Sequence, residues 1–178
     1  YAQSQRLASL LHDISTLNRL DDAPGMMDFE TVDINTMVAN IVKDTALQMA
    51  ERGMKFDNRL PQGVVVLGNQ SLLYSVFRNL TDNAIAYAGE GTTITLSASQ
   101  KDDFWSFTFS DNGVGVPYEP LPRLFERFYR VDKGRSRKMG GTGLGLAIVK
   151  NSVLLHGGTI AVGNNITGGL RFDFTLRK

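Results

Sequence analysis

The chain has 178 residues, of which 42% are hydrophobic, and this suits one domain of ordinary size with a short additional segment. Its 19 basic and 18 acidic side chains nearly cancel, so charge gives no reason to expect nucleic acid or an anionic membrane as the main partner. The lack of cysteine excludes disulfides and thiolate metal sites, and two histidines are too few for a histidine-rich metal site.

A helix is predicted at the start of the chain. Its apolar residues recur at intervals of three and four, the spacing of one helical face: Leu7, Leu10, Leu11, Ile14, Leu17 and Leu20. Residues 21–25, DDAPG, break the helix, and we expect a boundary there. The helix either packs on its own domain or is half of an antiparallel hairpin, and we favour the hairpin. Because the chain begins at Tyr1 already in a helical pattern, we expect a fragment of a longer protein.

From residue 26 onward, short strands alternate with helices. Residues 29–34 alternate as a strand, and Asn35 is expected to cap a helix that runs to about Arg52. The later predicted elements are strands at 55–60 and 64–67, a helix at 70–87, strands at 92–100 and 104–110, an irregular segment at 111–141, a helix at 142–156, and strands at 159–162 and 170–176. This order predicts an α+β fold, a two-layer sandwich whose mostly antiparallel sheet carries helices on one face.

A glycine-rich segment, RKMGGTGLGLAIVK at residues 137–150, leads into the last predicted helix. It is not a Walker loop, because Gly145 is followed by Leu146 and not by lysine. It is not a dinucleotide fingerprint either, because its last glycine spacing is wrong and no apolar strand precedes it. Free N–H groups at a helix start still favour an anion. Taken alone, the segment is more simply a tight turn or a hinge.

Two other segments carry candidate binding residues. Asp111 ends an apolar strand beside Gly113, so its carboxylate has room to accept a hydrogen bond from the exocyclic amine of a flat ring, although an ordinary turn is the alternative. On helix 70–87, Asn79, Asn83 and Tyr87 form one row at the border of the apolar face. Their oxygen atoms suit Mg²⁺, but taken alone the two asparagines are more simply explained by interhelical hydrogen bonds.

The irregular segment combines aromatic and basic residues. Phe125 and Phe128 are three residues apart, which predicts a short helical turn packed on the core. Six cations follow or interleave with them: Arg127, Arg130, Lys133, Arg135, Arg137 and Lys138. They suit either a solvated loop or a lid whose cations meet a polyphosphate.

In this order, the segments resemble the catalytic, ATP-binding domain of the sensor histidine kinases of two-component systems. The N box is matched by NLTDNA at 79–84, the first glycine box by DNGVG at 111–115, the F box by LFERFYR at 124–130, and the second glycine box by GTGLGL at 141–146. The resemblance implies a Bergerat-type ATPase fold over residues 28–178. It also implies a partial dimerisation and histidine-phosphotransfer helix at 1–22 and a linker at 23–27.

The resemblance implies transfer of the γ-phosphoryl group of ATP to a histidine of the dimerisation domain, with ATP and Mg²⁺ as cofactors. It implies Asn79, Asn83 and Arg130 as catalytic residues, with Asn83 as the main Mg²⁺ ligand and Asn79 assisting. The implied ATP-binding residues are Asn83, Tyr87, Asp111, Gly113, Gly115, Phe128, Arg130, Gly141, Thr142, Gly143, Leu144, Gly145 and Leu146. The implied partners are that dimerisation domain, a response regulator and a second copy in a homodimer, in the cytoplasmic portion of a membrane-anchored protein.

The sequence departs from the family pattern at two places. Ala86 stands where the family often has a lysine or arginine near the phosphates, and no phospho-acceptor motif is present. His12 lies on the helix similar to the second half of the hairpin and lacks the following proline, so we expect that it is not the acceptor. His156 is interpreted as a helix C-terminal residue suited to the helix dipole. Two alternatives remain, a degenerate kinase that acts through protein contacts and a related ATPase, although that class uses a glutamate where this chain has Asn79.

Overall fold

The computed structural model describes residues 8, 11, 14–15, 28–113, 125, 144–165 and 168–178. The four described residues before 28 are helical, as the sequence predicts. The boundary predicted at 21–25 and the six-cation segment lie outside the described residues.

The elements from residue 28 onward alternate as the sequence predicts. In chain order they are β1 (Glu30–Asp33), α1 (Ile34–Asp44), α2 (Ala46–Glu51), β2 (Lys55–Arg59), β3 (Val65–Gly68), α3 (Gln70–Tyr87), β4 (Thr93–Lys101), β5 (Phe104–Asp111), α4 (Gly145–Leu155), β6 (Ile160–Asn164) and β7 (Leu170–Arg177). Helix α3 has the predicted bounds, and each strand lies within one or two residues of its prediction.

The strands form two sheets. The larger has the order β2-β4-β5-β7-β6, in which β2 and β4 are parallel and the other pairs are antiparallel. The smaller pairs β1 with β3 in antiparallel fashion. This arrangement confirms the predicted α+β class with a mixed, mostly antiparallel sheet.

Helices cover one face of the larger sheet. The ring of Phe77 on α3 packs edge-on against Phe107 of β5 and Phe174 of β7, with centroids 5.6 Å away in both cases. Phe107 and Phe174 stack on each other at 5.1 Å, and all three rings are buried. The next residues on the same strands, such as Thr108 and Asp173, are only half-buried because alternate strand residues point to opposite faces.

The helix predicted from Asn35 to Arg52 is wrong at its start and in its middle. Asp33 caps α1 instead, since its carboxylate accepts hydrogen bonds from the Thr36 N–H (3.2 Å) and hydroxyl (3.0 Å). The Asn35 side chain instead forms hydrogen bonds with Pro61 and Val64, in the loop before β3. Thr45 interrupts the helix, because its buried hydroxyl donates to the Ile41 carbonyl at 2.8 Å and α2 begins after it.

The last helix begins later than predicted, at Gly145 and not at residue 142. Before its first turn, Leu144 is buried with Leu72, Ala147 and Ile148 in a cluster between α3 and α4, and Ile14 of the first helix packs against this cluster. Phe125 packs on the core through Phe172, at a centroid distance of 6.1 Å, as predicted; Phe128 lies outside the described residues.

Candidate functional site

Helix α3 carries the polar row predicted at the border of its apolar face. It begins where the Asn69 side chain accepts a hydrogen bond from the Leu72 N–H at 3.0 Å. Asn79, Asn83 and Tyr87 are all half-buried, which confirms their position between core and solvent. Among the described residues, the side chains of Asn79 and Asn83 have no hydrogen-bond partner, so the interhelical bonds offered as the simpler explanation are not formed there.

The start of α4 lies against this row. A methyl group added at Gly145 would come within 2.9 Å of Asn79 Oδ1, so only a glycine fits at this distance without a shift. The first turn of α4 presents backbone N–H groups that have no partner inside the helix. An amide oxygen therefore lies beside the N–H groups of a helix start, and this combination suits a cation together with the phosphates that it accompanies.

Asp111 lies at the end of β5 and is partly buried. Its Oδ1 accepts hydrogen bonds from the Gly113 N–H at 2.9 Å and the Leu170 N–H at 3.3 Å. Burial raises the pKa of the Asp111 carboxyl, and the two backbone hydrogen bonds oppose that rise. The side chain of the neighbouring Asn112 accepts a hydrogen bond from the Thr93 N–H at 2.7 Å, and this bond joins the end of β5 to the start of β4.

Gly113 closes the other end of the polar row. A methyl group there would overlap the Ala88 carbonyl oxygen and lie 2.8 Å from its carbon, so the first glycine segment lies directly on the end of α3. Ala88 and Asn79 are nine residues apart, a rise of about 13 Å along a helix. The polar row therefore has a carboxylate near one end, beside Gly113, and the start of helix α4 near the other, at Gly145.

The other predicted site residues divide into two sets. Leu144 is buried in the α3–α4 cluster, and Leu146 is half-buried against the main core. Six lie outside the described residues: Gly115, Phe128, Arg130, Gly141, Thr142 and Gly143.

Sequence reasoning missed how His156 joins the two site helices. Its Nδ1–H donates to the Ser152 carbonyl at 2.6 Å, and its Nε2 accepts from the Asn69 N–H at 3.0 Å. The ring is buried, stacks on Phe29 at 4.8 Å and leaves no room for a side chain at Gly68. His156 is the C-cap residue of α4, which confirms its predicted place at the helix end. Its Nε2 acts as an acceptor and burial lowers its pKa, so the neutral ring is favoured and not the cation that would suit the helix dipole.

Comparison with known proteins decides the family. Residues 68–178, more than half of the chain, match the histidine kinase-, DNA gyrase B-, and HSP90-like ATPases. The chain belongs to this family. Within it, the predicted resemblance to sensor histidine kinases is confirmed. The sensor-like histidine kinase SenX3 of Mycolicibacterium smegmatis is 35% identical over 175 residues, which cover 98% of this chain and 46% of SenX3.

Solved structures of histidine kinases share the fold of this ATPase domain. The Acinetobacter baumannii histidine kinase AdeS superposes with a TM-score of 0.82 at 23% identity, over 98% of this chain and 80% of AdeS. Full-length ShkA, solved in complex with AMPPNP, has a TM-score of 0.81 at 27% identity, over 96% of this chain and 35% of ShkA. The chain spans less than half the length of SenX3. In the described part of the chain, no helix is both long and apolar enough to cross a bilayer.

Proposed function

We propose that this chain is the phosphate-donating part of a sensor histidine kinase and that ATP lies along the polar row of α3. The observation that carries the proposal is that glycines contact α3 at both ends of its polar row, Gly145 at Asn79 and Gly113 at Ala88. Asp111 at one end would accept a hydrogen bond from the adenine amine. The start of α4 at the other end would bind the phosphates.

The donor set of the row fits Mg²⁺. Asn83, assisted by Asn79, offers amide oxygens from half-buried side chains that have no other hydrogen-bond partner among the described residues. Mg²⁺ prefers oxygen ligands and usually reaches proteins through few side chains together with substrate phosphates. When bound, the ion would neutralise phosphate charge, and Asn83 would fix its place relative to α4.

In the proposed reaction, the γ-phosphorus of ATP forms a bond to a histidine nitrogen while its bond to the β–γ bridging oxygen breaks, and ADP leaves. Positioning and charge neutralisation dominate such transfers. Arg130 and the second glycine box would bind the phosphates. The acceptor histidine would belong to the dimerisation domain of the same protein, a homodimer whose cytoplasmic portion includes this chain, and a response regulator would receive the phosphoryl group.

A calorimetric titration with Mg-ATP tests the nucleotide site. We expect the chain to bind Mg-ATP, and we expect Asn83→Ala to bind ATP about tenfold more weakly and without dependence on Mg²⁺, since the main protein ligand is lost. Asn151→Ala is the matched control, because Asn151 is also a half-buried helical asparagine but lies on α4. Absence of binding at millimolar ATP would contradict the function, whereas an unchanged Mg²⁺ dependence in Asn83→Ala would contradict only the ligand assignment.

A further inference from the structure

The turn between β6 and β7 contacts Asp111 directly. Gly169 is buried, and a methyl group on it would overlap the carbonyl oxygen and Oδ1 of Asp111 and lie 2.6 Å from its carbonyl carbon. The next residue, Leu170, donates its N–H to Asp111 Oδ1 at 3.3 Å. Asp111 therefore packs against this turn and accepts one of its two backbone hydrogen bonds from it.

Backbone hydrogen bonds join the described residues of this turn, 165 and 168–169. The Asn165 N–H donates to the Gly169 carbonyl at 2.7 Å, and the Gly168 N–H donates to the Asn165 carbonyl at 3.0 Å. Gly168 and Gly169 have φ values of +107° and +87°, a region that favours glycine. Leu170 is buried and begins β7, whose pairing partner β5 ends in Asp111. The turn thus has a defined position relative to the carboxylate.

The hydrogen bonds differ between the two carboxylate oxygens. Oδ1 of Asp111 accepts from two backbone N–H groups, those of Gly113 and Leu170. Within the described residues, Oδ2 accepts no hydrogen bond. Two donors on one oxygen restrict rotation of the carboxylate, and the second oxygen is left as an acceptor of fixed direction.

We propose that Gly169 and Leu170 are positioning residues for recognition of the base, which hold the Asp111 carboxylate so that Oδ2 is presented to an exocyclic amine of a bound purine. This inference rests on the proposed function, because it requires a nucleotide base at Asp111. Gly169 would act on the base only by way of Asp111. Its substitution should therefore change only the part of the binding affinity that the amine contributes.

The test compares two nucleotides on the variant Gly169→Ala. Dissociation constants are measured for Mg-ATP and for the Mg complex of purine riboside triphosphate, which has hydrogen in place of the amino group. The wild-type chain is expected to prefer ATP by about tenfold or more, the worth of a hydrogen bond to a charged acceptor. Gly169→Ala is expected to lose most of this preference and to bind the analogue as the wild type does. A merely structural role would weaken both nucleotides equally.

Two control variants separate steric and backbone effects. Gly63→Ala introduces a side chain at φ +76° with nothing within 4 Å, so it reproduces the backbone strain away from Asp111. Gly163→Ala places a methyl group on β6 of the same hairpin, again with nothing within 4 Å. Both are expected to keep the wild-type preference for ATP. If Gly169→Ala does not fold, Gly168→Ala takes its place, since it strains the same turn with an ordinary contact of 3.5 Å to Gly113.

The outcomes distinguish the two levels of the proposal. A wild-type chain that binds neither nucleotide overturns the proposed function. A wild-type chain that prefers ATP, together with a turn variant that keeps the same preference, overturns the positioning role and leaves the function standing. In the double variant Asp111→Asn, Gly169→Ala, the preference for ATP over the analogue should be no smaller than in Asp111→Asn alone. The reason is that the turn acts through the carboxylate, which both variants lack.

Discussion

At the scale of single residues, the described site depends on buried polar groups whose charge state is set by burial. His156 is held neutral, because its Nε2 accepts the Asn69 N–H and burial disfavours the charged ring. Burial disfavours the charged form of Asp111 as well, which raises the pKa of its carboxyl, while the hydrogen bonds from the Gly113 and Leu170 N–H groups oppose that rise.

The lowered pKa of His156 predicts how stability depends on pH. Below its ordinary value of 6.5, the unfolded chain takes up a proton at this residue and the folded chain does not, so the free energy of unfolding falls as pH decreases from there toward the folded pKa. Urea denaturation at pH 7.5, 6.5 and 5.5 measures the loss. His156→Gln should show a smaller loss over this range than the wild-type chain. His12→Gln, which alters the only other histidine, is the control, and an equal slope in all three proteins would contradict the prediction.

At the scale of elements, helix α3 depends on Asn69 for its start. The side chain accepts from the Leu72 N–H and donates to the Asp28 carbonyl at 3.1 Å, so it caps the helix and holds the chain that enters β1. The backbone N–H of Asn69 donates a hydrogen bond to Nε2 of His156. One residue thus joins the start of the site helix, the end of α4 and the entry to the domain.

Removal of this cap should destabilise the domain measurably. Asn69→Ala is expected to lower the free energy of unfolding by about 1 kcal/mol or more, since a cap of this kind is typically worth that much. Asn69→Ser keeps a capping oxygen and loses the amide donor to Asp28, so its loss should be smaller. Thermal denaturation of both variants gives the comparison. Equal losses would show that the bond to Asp28, and not the cap, is what stabilises this junction.

The elements were predictable from local pattern where that pattern was strong. The row Asn79, Asn83 and Tyr87 follows from helical spacing alone, and its half-buried position is confirmed. The cap at Asp33 was missed because Asn35 is an equally good capping residue, and only the tertiary contacts of Asn35, with Pro61 and Val64, exclude it. The helix break at Thr45 was missed for a similar reason, because a buried hydroxyl bond decides it and no glycine or proline marks it.

At the scale of the whole molecule, the proposal requires a separate acceptor. With labelled ATP, the 178-residue chain alone is expected to remain unlabelled, while an added helical hairpin that carries an acceptor histidine should gain acid-labile phosphate. The phosphoryl group would pass between molecules, because the proposal makes this chain the donor and its sequence has no acceptor motif. Asn83→Ala in place of the wild-type chain is the control and should not label the hairpin. Acid-labile phosphate on His12 would contradict the assignment of the first helix.

The sequence by itself determined the family and the class of fold, because four motifs in fixed order and the alternation of strand and helix periods are local properties of the chain. It also predicted which residues would bind a nucleotide, and that assignment stays a prediction. Only the tertiary structure decided how these residues are held. The contacts of Gly113 with Ala88, Gly145 with Asn79 and Gly169 with Asp111 join residues distant in sequence. The sequence does not show which residue such a glycine contacts, because the packing of strands and helices determines that residue.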